Sequence, residues 1–329
     1  MGSDSQCRIP VIELSINSVG FERGTDDWHH LSKSVREACE NYGCFEVVYD
    51  NIPLQLRAET FSVIKELFSL PLEAKQKNIN PKPFHGYFGQ YASIPLYESF
   101  GLEDSSNYDS LKSFTELMWP SGHDQFCNTV VTMMKKLDEL KDMIHMMILD
   151  SYGLGEKSNS IMPCKTLLRV MKYSAPPSGE YMKGLQAHTD KLFSTILCDD
   201  QVSGLEFETK DGQWNKLSLS PSSFIFFVGD PLMAWSNGRM HPVKHRVMMS
   251  GEKDRYSLGA FAVPVEGTII KAPKELVDEE YPQILKEFDY MDFTKFSFSE
   301  EGRAIDSARQ VFVFAGISTR EQDNGSGRT

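Results

Sequence analysis

His188 and Asp190 stand two residues apart in the stretch QAHTDKL. On an extended strand, residues i and i+2 face the same way, so this imidazole and carboxylate would converge on one spot. That donor mixture suits Fe(II), for which a second histidine completes a set of three ligands and leaves other positions open. The alternative is an ordinary surface histidine beside an acid. A second histidine must come from a distant segment, and His241 and His245 both lie in MHPVKHRVMM. His241 follows the turn-like SNGRM and precedes Pro242. His245 sits inside strand-like VKHRVMM, where apolar neighbours would hold a ligand rigidly, and it is the favoured candidate. His85, in an aromatic loop, is a third option.

Arg255 and Ser257 form a second alternating pair. A guanidinium beside a hydroxyl is suited to gripping a carboxylate, because arginine binds it through two parallel N–H bonds. Taken alone, R-x-S is also an ordinary surface pattern; its weight comes from lying downstream of the two histidine segments. Arg169, Met171 and Tyr173 form a third alternating set and would share the same interior if their strand joins the sheet. Such mixed polarity on one face suits a site better than a core.

The elements that must position these residues are legible in outline. Ile9–Leu14 reads as a strand, 27–42 as a helix stopped at Gly43, and CFEVV as the next strand. Residues 54–78 carry a helical apolar period, and 81–112, rich in proline, glycine and aromatics, read as a long loop. Val130, Met133, Met134, Leu137, Leu140, Ile144, Met147 and Ile148 predict a helix over 124–153, its methionines serving as core filler. From about 165 the rhythm changes to strands: TLLRVMKYS, STILCDD, GLEFET, WNKLSL, SSFIFFVGD, VKHRVMMS and RYSLGAFAVP. Asp211-Gly212 predicts a type I′ hairpin turn between GLEFET and QWNKL. Strands at this spacing predict a sandwich or jelly-roll. Helices follow at 274–289 and 299–309, and the last dozen residues read as a disordered tail. The expected organisation is a mixed helical and strand region over 1–120, a long supporting helix in 121–160, a catalytic core over 161–270, covering helices in 271–316 and a tail at 317–329.

Composition bounds the rest. The 329 residues are 40 % hydrophobic and 24 % charged, which suits a globular chain with a sizeable core. A net charge of −12 argues against a nucleic-acid partner. No apolar run approaches the ~20 residues of a membrane span, and the N-terminus has no secretory pattern. Gly2 and Ser5 weakly match a myristoylation signal without a supporting basic cluster. The six cysteines are scattered without a CxxC pair, and Cys39 and Cys44 read as packing residues across a helix–strand junction rather than metal ligands. A cytoplasmic monomer acting on a small molecule, without nucleic acid or membrane, is the expectation.

HTD, then HRV, then RYS ten residues further on, resemble the signature of the plant 2-oxoglutarate- and Fe(II)-dependent dioxygenases. IPVIEL, YGCFEVV, LFSLPLEAK, PFHGYFGQ, GLEFETKDGQW and SNGRMHPVKHRV resemble the family's stretches in the expected order, across nearly the whole chain. LYESFGLED and LMWPSGHDQFC look most like oxygenases that modify glucosinolate side chains and related specialised metabolites. The resemblance implies a mainly β fold with flanking helices (α+β), a distorted double-stranded β-helix, or jelly-roll, behind a helical N-terminal region. It implies Fe(II) held by His188, Asp190 and His245, and 2-oxoglutarate held by Arg255, Ser257 and Tyr173. O2 is then the oxidant, ascorbate the natural assay reductant, and succinate and CO2 the coproducts. Met171 departs from the pattern, which often carries an asparagine there.

Phe261 matches a position that often meets substrate in relatives, and Phe193, Tyr87, Phe88, Tyr97, Met118, Trp119, Trp235, Arg169 and Met171 are further candidates for the pocket. Together they predict a largely apolar small substrate, such as a plant specialised metabolite, that is hydroxylated, desaturated, demethylated or cyclised. Two rivals share the sequence features: an Fe(II) oxidase of the same fold that does not use 2-oxoglutarate, and a non-catalytic small-ligand receptor. A structural zinc site is disfavoured, because such sites are closed by four ligands, usually including cysteine.

Overall fold

The alternating and apolar segments form strands in a computed structural model that describes residues 8–14, 22–156 and 163–317. Gly2, Cys7 and the C-terminal dozen lie outside the described residues. The chain begins with β1 (Val11–Leu14), α1 (Asp26–Asn41) and β2 (Cys44–Tyr49). Thr25 caps α1 by accepting from the Trp28 amide, and Asp26 and Asp27 lie in its first turn, where the helix dipole favours acids. Gly43 ends the helix with a φ of +73°, as its position in the sequence predicts.

The expected 54–78 helix is instead two. The first, α2 (Leu54–Phe68), stops before Pro71, and α3 (Leu72–Lys75) restarts just after it. Proline cannot donate its amide into a helix interior but is at home at a helix start. The expected loop at 81–112 contains β3 (Gly86–Phe88), β4 (Tyr97–Glu103) and the start of α4 (Tyr108–Met118). β4 was hidden by its flanking prolines and glycines; inside the sheet, its YESFGLE alternation is well served by neighbours on both sides. α5 (Asp124–Ser151) follows, with its predicted apolar stripe buried.

Then come β5 (Cys164–Tyr173), β6 (Met182–His188), β7 (Ser194–Asp199), β8 (Leu205–Glu208), β9 (Trp214–Lys216) and β10 (Ser223–Val228). A short helix, α6 (Asp230–Trp235), precedes β11 (His245–Met249) and β12 (Arg255–Pro264). β6 lacks β-branched residues, and the H-x-D spacing implies a strand only at its His188 end. The hairpin between β8 and β9 is present, but its turn is not type I′. Glu208 pairs with Trp214, so the connection is five residues long; only Gly212 in it has positive φ. A five-residue hairpin loop is usually built on a type I turn, and the Gly212 amide donates to the Thr209 carbonyl at 2.8 Å.

The predicted 274–289 helix is also corrected. It is a single 3-10 turn at Lys274–Leu276 followed by irregular chain, which Pro282 and an acidic run do not let continue. β13 (Ile269–Ile270) pairs with β14 (Phe288–Asp289), and the helices come later, as α7 (Tyr290–Phe298), α8 (Glu300–Arg303) and α9 (Gln310–Ala315).

An eight-stranded sheet runs β1-β2-β10-β7-β12-β5-β4-β3, parallel only at β1–β2, and a four-stranded sheet runs β6-β11-β8-β9. All six β10 residues are buried, as an all-apolar strand in a sheet interior requires. α5 covers the outer face of the large sheet, where the buried His145 ring meets the Ser194 hydroxyl at 2.8 Å. Burial holds that imidazole neutral, with its pKa down at about 3. The opposite face of the large sheet carries Thr195, Arg255, Ser257, Arg169 and Tyr173, the side on which the candidate site lies.

Candidate active site

β6 and β11 bring His188 and His245 together as a direct cross-strand pair, their ring centroids 4.4 Å apart. β6 ends at His188, so Asp190 is not on the strand that the H-x-D spacing implied. The chain turns after His188, and Thr195 on β7 donates from its hydroxyl to Asp190 Oδ2 at 2.5 Å. Asp190 Oδ1 then lies 3.7 Å from Nε2 of both His188 and His245. Among the described residues, these three side chains are the group whose donor atoms converge as metal ligands would, all within 4.8 Å.

Each imidazole is oriented from behind. His188 Nδ1 faces the Gln186 carbonyl at 2.8 Å, and His245 Nδ1 faces the Val243 carbonyl at 3.3 Å. These carbonyls favour a proton on Nδ1 and leave Nε2 as the lone-pair donor. His245 also stacks on Phe227, with centroids 4.4 Å apart. Burial, reinforced by His245, holds the His188 pKa down, the protonation state a metal ligand requires. His241 is not in this cluster; its backbone amide bonds Cys39 at the α1–β2 junction.

A buried lattice, which sequence reasoning missed, supports the Asp190 segment. Lys191 Nζ donates to Asp230 Oδ2 (2.6 Å), the Thr189 hydroxyl (2.9 Å) and the Ser307 carbonyl (2.7 Å). The Asp230 amide, at the start of α6, donates to the Asp190 carbonyl at 2.8 Å. A lysine beside H-x-D was the available signal, but its partners are 39 and 116 positions away.

On the large sheet, Arg255 pairs with Tyr173, and Ser257 with Met171, across β12 and β5. Arg255 is 1 % exposed and donates to Asp199 Oδ2 at 2.8 Å and to the Val202 carbonyl at 3.1 Å. Asp199 is therefore a fixed counter-ion that the R-x-S motif did not reveal. The guanidinium lies 5.5 Å from the Tyr173 ring. Among the described residues, the buried Ser257 hydroxyl has no hydrogen-bond partner and the Tyr173 hydroxyl has only the Met171 sulfur, at 3.9 Å. Burial raises the Tyr173 pKa, so the phenol keeps its proton and remains a donor.

The expected pocket residues divide. Tyr97 lies 5.2 Å from Tyr173 and 6.0 Å from Phe88, and its hydroxyl accepts from Arg169 at 2.9 Å. Phe261 stands 5.8 Å from the same guanidinium. Tyr87 is drawn aside to Glu98, donating at 2.7 Å. Met118 is buried at the end of α4, and Trp119 meets His123 and Phe126 at the start of α5. Phe193 packs edge-on against His145 of α5, and Trp235 against Tyr152. Trp119, Phe193 and Trp235 thus each meet a ring of α5 or its caps, a placement residue type cannot reveal.

Two family models match the chain: the non-haem dioxygenase N-terminal region over residues 9–114 and the 2OG-Fe(II) oxygenase superfamily over 164–264. A probable 2-oxoglutarate-dependent dioxygenase of Arabidopsis thaliana, AOP1.2, is 40 % identical, the match covering 93 % of this chain and 96 % of the relative. Among solved structures, the rice dioxygenase for auxin oxidation is 30 % identical with a TM-score of 0.80, covering 94 % of this chain and all of that one. The 2-oxoglutarate complex of dioxygenase for auxin oxidation 1 from Arabidopsis thaliana is also 30 % identical, with a TM-score of 0.75 over 83 % of this chain and 99 % of that one. With two histidines and an aspartate converging beside a sheet that carries a buried arginine, and near-complete coverage of such relatives, this chain belongs to the 2-oxoglutarate- and Fe(II)-dependent dioxygenase family.

Proposed function

We propose that His188, Asp190 and His245 bind the Fe(II) of this oxygenase, and that Arg255, Ser257 and Tyr173 bind the distal carboxylate of 2-oxoglutarate. The observation that carries the reading is the convergence of two Nε2 atoms on one oxygen of Asp190. That donor set fits Fe(II), since two imidazoles and one carboxylate occupy one side of an ion and leave the other open. The clamp fits a dicarboxylate, since two buried hydroxyls short of partners stand beside a guanidinium. With Fe(II) and 2-oxoglutarate bound, O2 drives oxidative decarboxylation to succinate and CO2, coupled to oxidation of the substrate.

The chain's own residues have distinct tasks. Thr195 holds Asp190 so that one carboxylate oxygen faces both imidazoles. Asp199 fixes the Arg255 guanidinium and compensates part of its charge, so the clamp is set before the cosubstrate arrives. Met171, in place of an amide, contributes an apolar wall beside Ser257. The substrate is a small, largely apolar molecule of plant specialised metabolism, supported by the aromatic side chains around Tyr97 and Phe261 and by relatives named for oxidising auxin. Residues 161–270 are the catalytic core, with 1–120 and the helix within 121–160 supporting it and 271–316 covering it; the Thr189–Ser307 bond supports that cover. The five described cysteines are free thiols, which suits a reducing compartment such as the cytoplasm.

The test is succinate release by the purified protein with Fe(II), ascorbate, 2-oxoglutarate and a panel of plant metabolites, together with direct 2-oxoglutarate binding. Succinate that rises with a panel compound supports the reading. Arg255→Leu weakens 2-oxoglutarate binding by more than tenfold while iron still binds. Unchanged cosubstrate affinity in that variant would overturn the clamp, and failure of the iron-loaded protein to bind 2-oxoglutarate would point to an oxidase that does not use it.

A further inference from the structure

Arg169 lies at the middle of β5 on the inner face of the large sheet. The register places it in one rung with Gly259 of β12 and Gly101 of β4. The next rung holds Ser257, Met171 and Ser99, and the one beyond holds Arg255, Tyr173 and Tyr97. A glycine on each side leaves the Arg169 side chain without rung neighbours, and each vacated space is used. A Cβ on Gly101 would sit 1.9 Å from the Phe84 carbonyl oxygen, and one on Gly259 would sit 2.5 Å from the Phe261 ring. The rings of Phe84 and Phe261 each come to 5.8 Å from the guanidinium carbon.

Among the described residues, the bonds that Arg169 makes are all to neutral oxygens. Nη2 donates to the Tyr97 hydroxyl at 2.9 Å and to the Ser99 hydroxyl at 3.0 Å, while Nε is buried with no partner. No carboxylate among the described residues forms an ion pair with it. The contrast with Arg255, held by Asp199 at 2.8 Å, is direct. Arg169 is half-buried, and a guanidinium cannot shed its proton, so a cation drawn partly out of water with no counter-charge among the described residues is incompletely compensated. Aromatic faces supply only part of that compensation. What completes this site is an anion that takes two N–H groups in parallel, as a carboxylate does.

We infer that Arg169 anchors an anionic group of the substrate, so that the apolar molecule oxidised by this enzyme carries a carboxylate. The inference rests on the metal and cosubstrate reading above. Arg169 stands four residues along β5 from the rung of Arg255, roughly 13 Å of extended backbone, so the two arginines serve separate acids. It is also two strands across and two residues along from Thr195, the residue bonded to Asp190, or roughly 12 Å over the sheet. That span suits an acid whose body is one or two rings, with its anion on Arg169 and its far end toward the triad.

Calorimetry on protein loaded with Mn(II) and 2-oxoglutarate tests this without turnover. The probes are 3-phenylpropanoate and 2-naphthylacetate, each beside its methyl ester and primary amide. The wild type binds at least one acid about tenfold or more tightly than its ester. Arg169→Gln removes that preference while ester affinity stays within about twofold, and Arg169→Lys, which keeps the charge but not the fork, retains part of it. Equal binding of acid and ester by the wild type, no binding of any probe, or a preference that persists in Arg169→Gln overturns the inference. A parallel fall in 2-oxoglutarate affinity in Arg169→Gln also overturns it, by making Arg169 part of the cosubstrate site. Failure of the underlying reading is separately visible, as 2-oxoglutarate that does not bind the metal-loaded wild type or binds equally to Arg255→Leu.

Discussion

Asp190 shows how much of a carboxylate's behaviour belongs to its neighbours. Its two oxygens divide their work, Oδ2 accepting from Thr195 while Oδ1 faces His188 and His245. A carboxylate freed of that bond can rotate, and its partner oxygen then competes for the same ion. Partners of this kind are commonly worth 10- to 100-fold in metal affinity. Thr195→Val therefore weakens Fe(II) binding by about 10- to 100-fold, whereas Asp190→Ala abolishes stoichiometric binding and turnover. Anaerobic iron titration reads both, and Thr195→Val with wild-type affinity would show that packing alone orients Asp190. Thr195 lies in STILCDD, five residues past Asp190, a separation that no local rule connects across a turn.

The elements succeed or fail at their junctions. α1 hands over to β2 at Gly43, which has positive φ and lies against the loop that leads to β11. A Cβ there would sit 2.0 Å from the His241 carbonyl oxygen, a backbone atom that cannot swing away. Gly43→Ala thus combines left-handed strain of about 1–2 kcal/mol with a clash, for an expected loss near 3 kcal/mol. Denaturant unfolding measures it, and a loss below about 1 kcal/mol would show that the junction relaxes. The helix stop at Gly43 was readable because it is a local property of the chain. The strand β4 was not, because its residues become a strand only through pairing with β5 and β3. The same reason explains β6, whose MKGLQAH has little strand character until β11 lies beside it.

At the scale of the molecule, the site is assembled from parts that no single element contains. The histidines belong to the small sheet, Thr195 and Arg255 to the large one, and Ser307 ties the C-terminal segment to Thr189 and Lys191. Metal binding to such a site stabilises the native state by mass action, about 2.7 kcal/mol at a hundred times the dissociation constant. Thermal unfolding with Mn(II) therefore shifts upward in the wild type and not in Asp190→Ala. A further upward shift on adding 2-oxoglutarate is lost in Arg255→Leu. An equal metal-induced shift in Asp190→Ala would place the stabilising ion elsewhere.

The sequence by itself determined the chemistry: two histidines, an aspartate and an R-x-S pair, in the order and context that mark a 2-oxoglutarate- and Fe(II)-dependent oxygenase. It also determined the long α5, the Gly43 stop and the apolar core strands, because period and backbone conformation are local properties. Tertiary structure alone decided which side chains face each other. It joined Asp199 to Arg255 across 56 positions and Asp230 to Lys191 across 39. It set Trp119, Phe193 and Trp235 against rings of α5 and its caps. It also left Arg169 between two glycines without a counter-ion among the described residues, since a charge's partner is set by the sheet register and not by its neighbours in the chain.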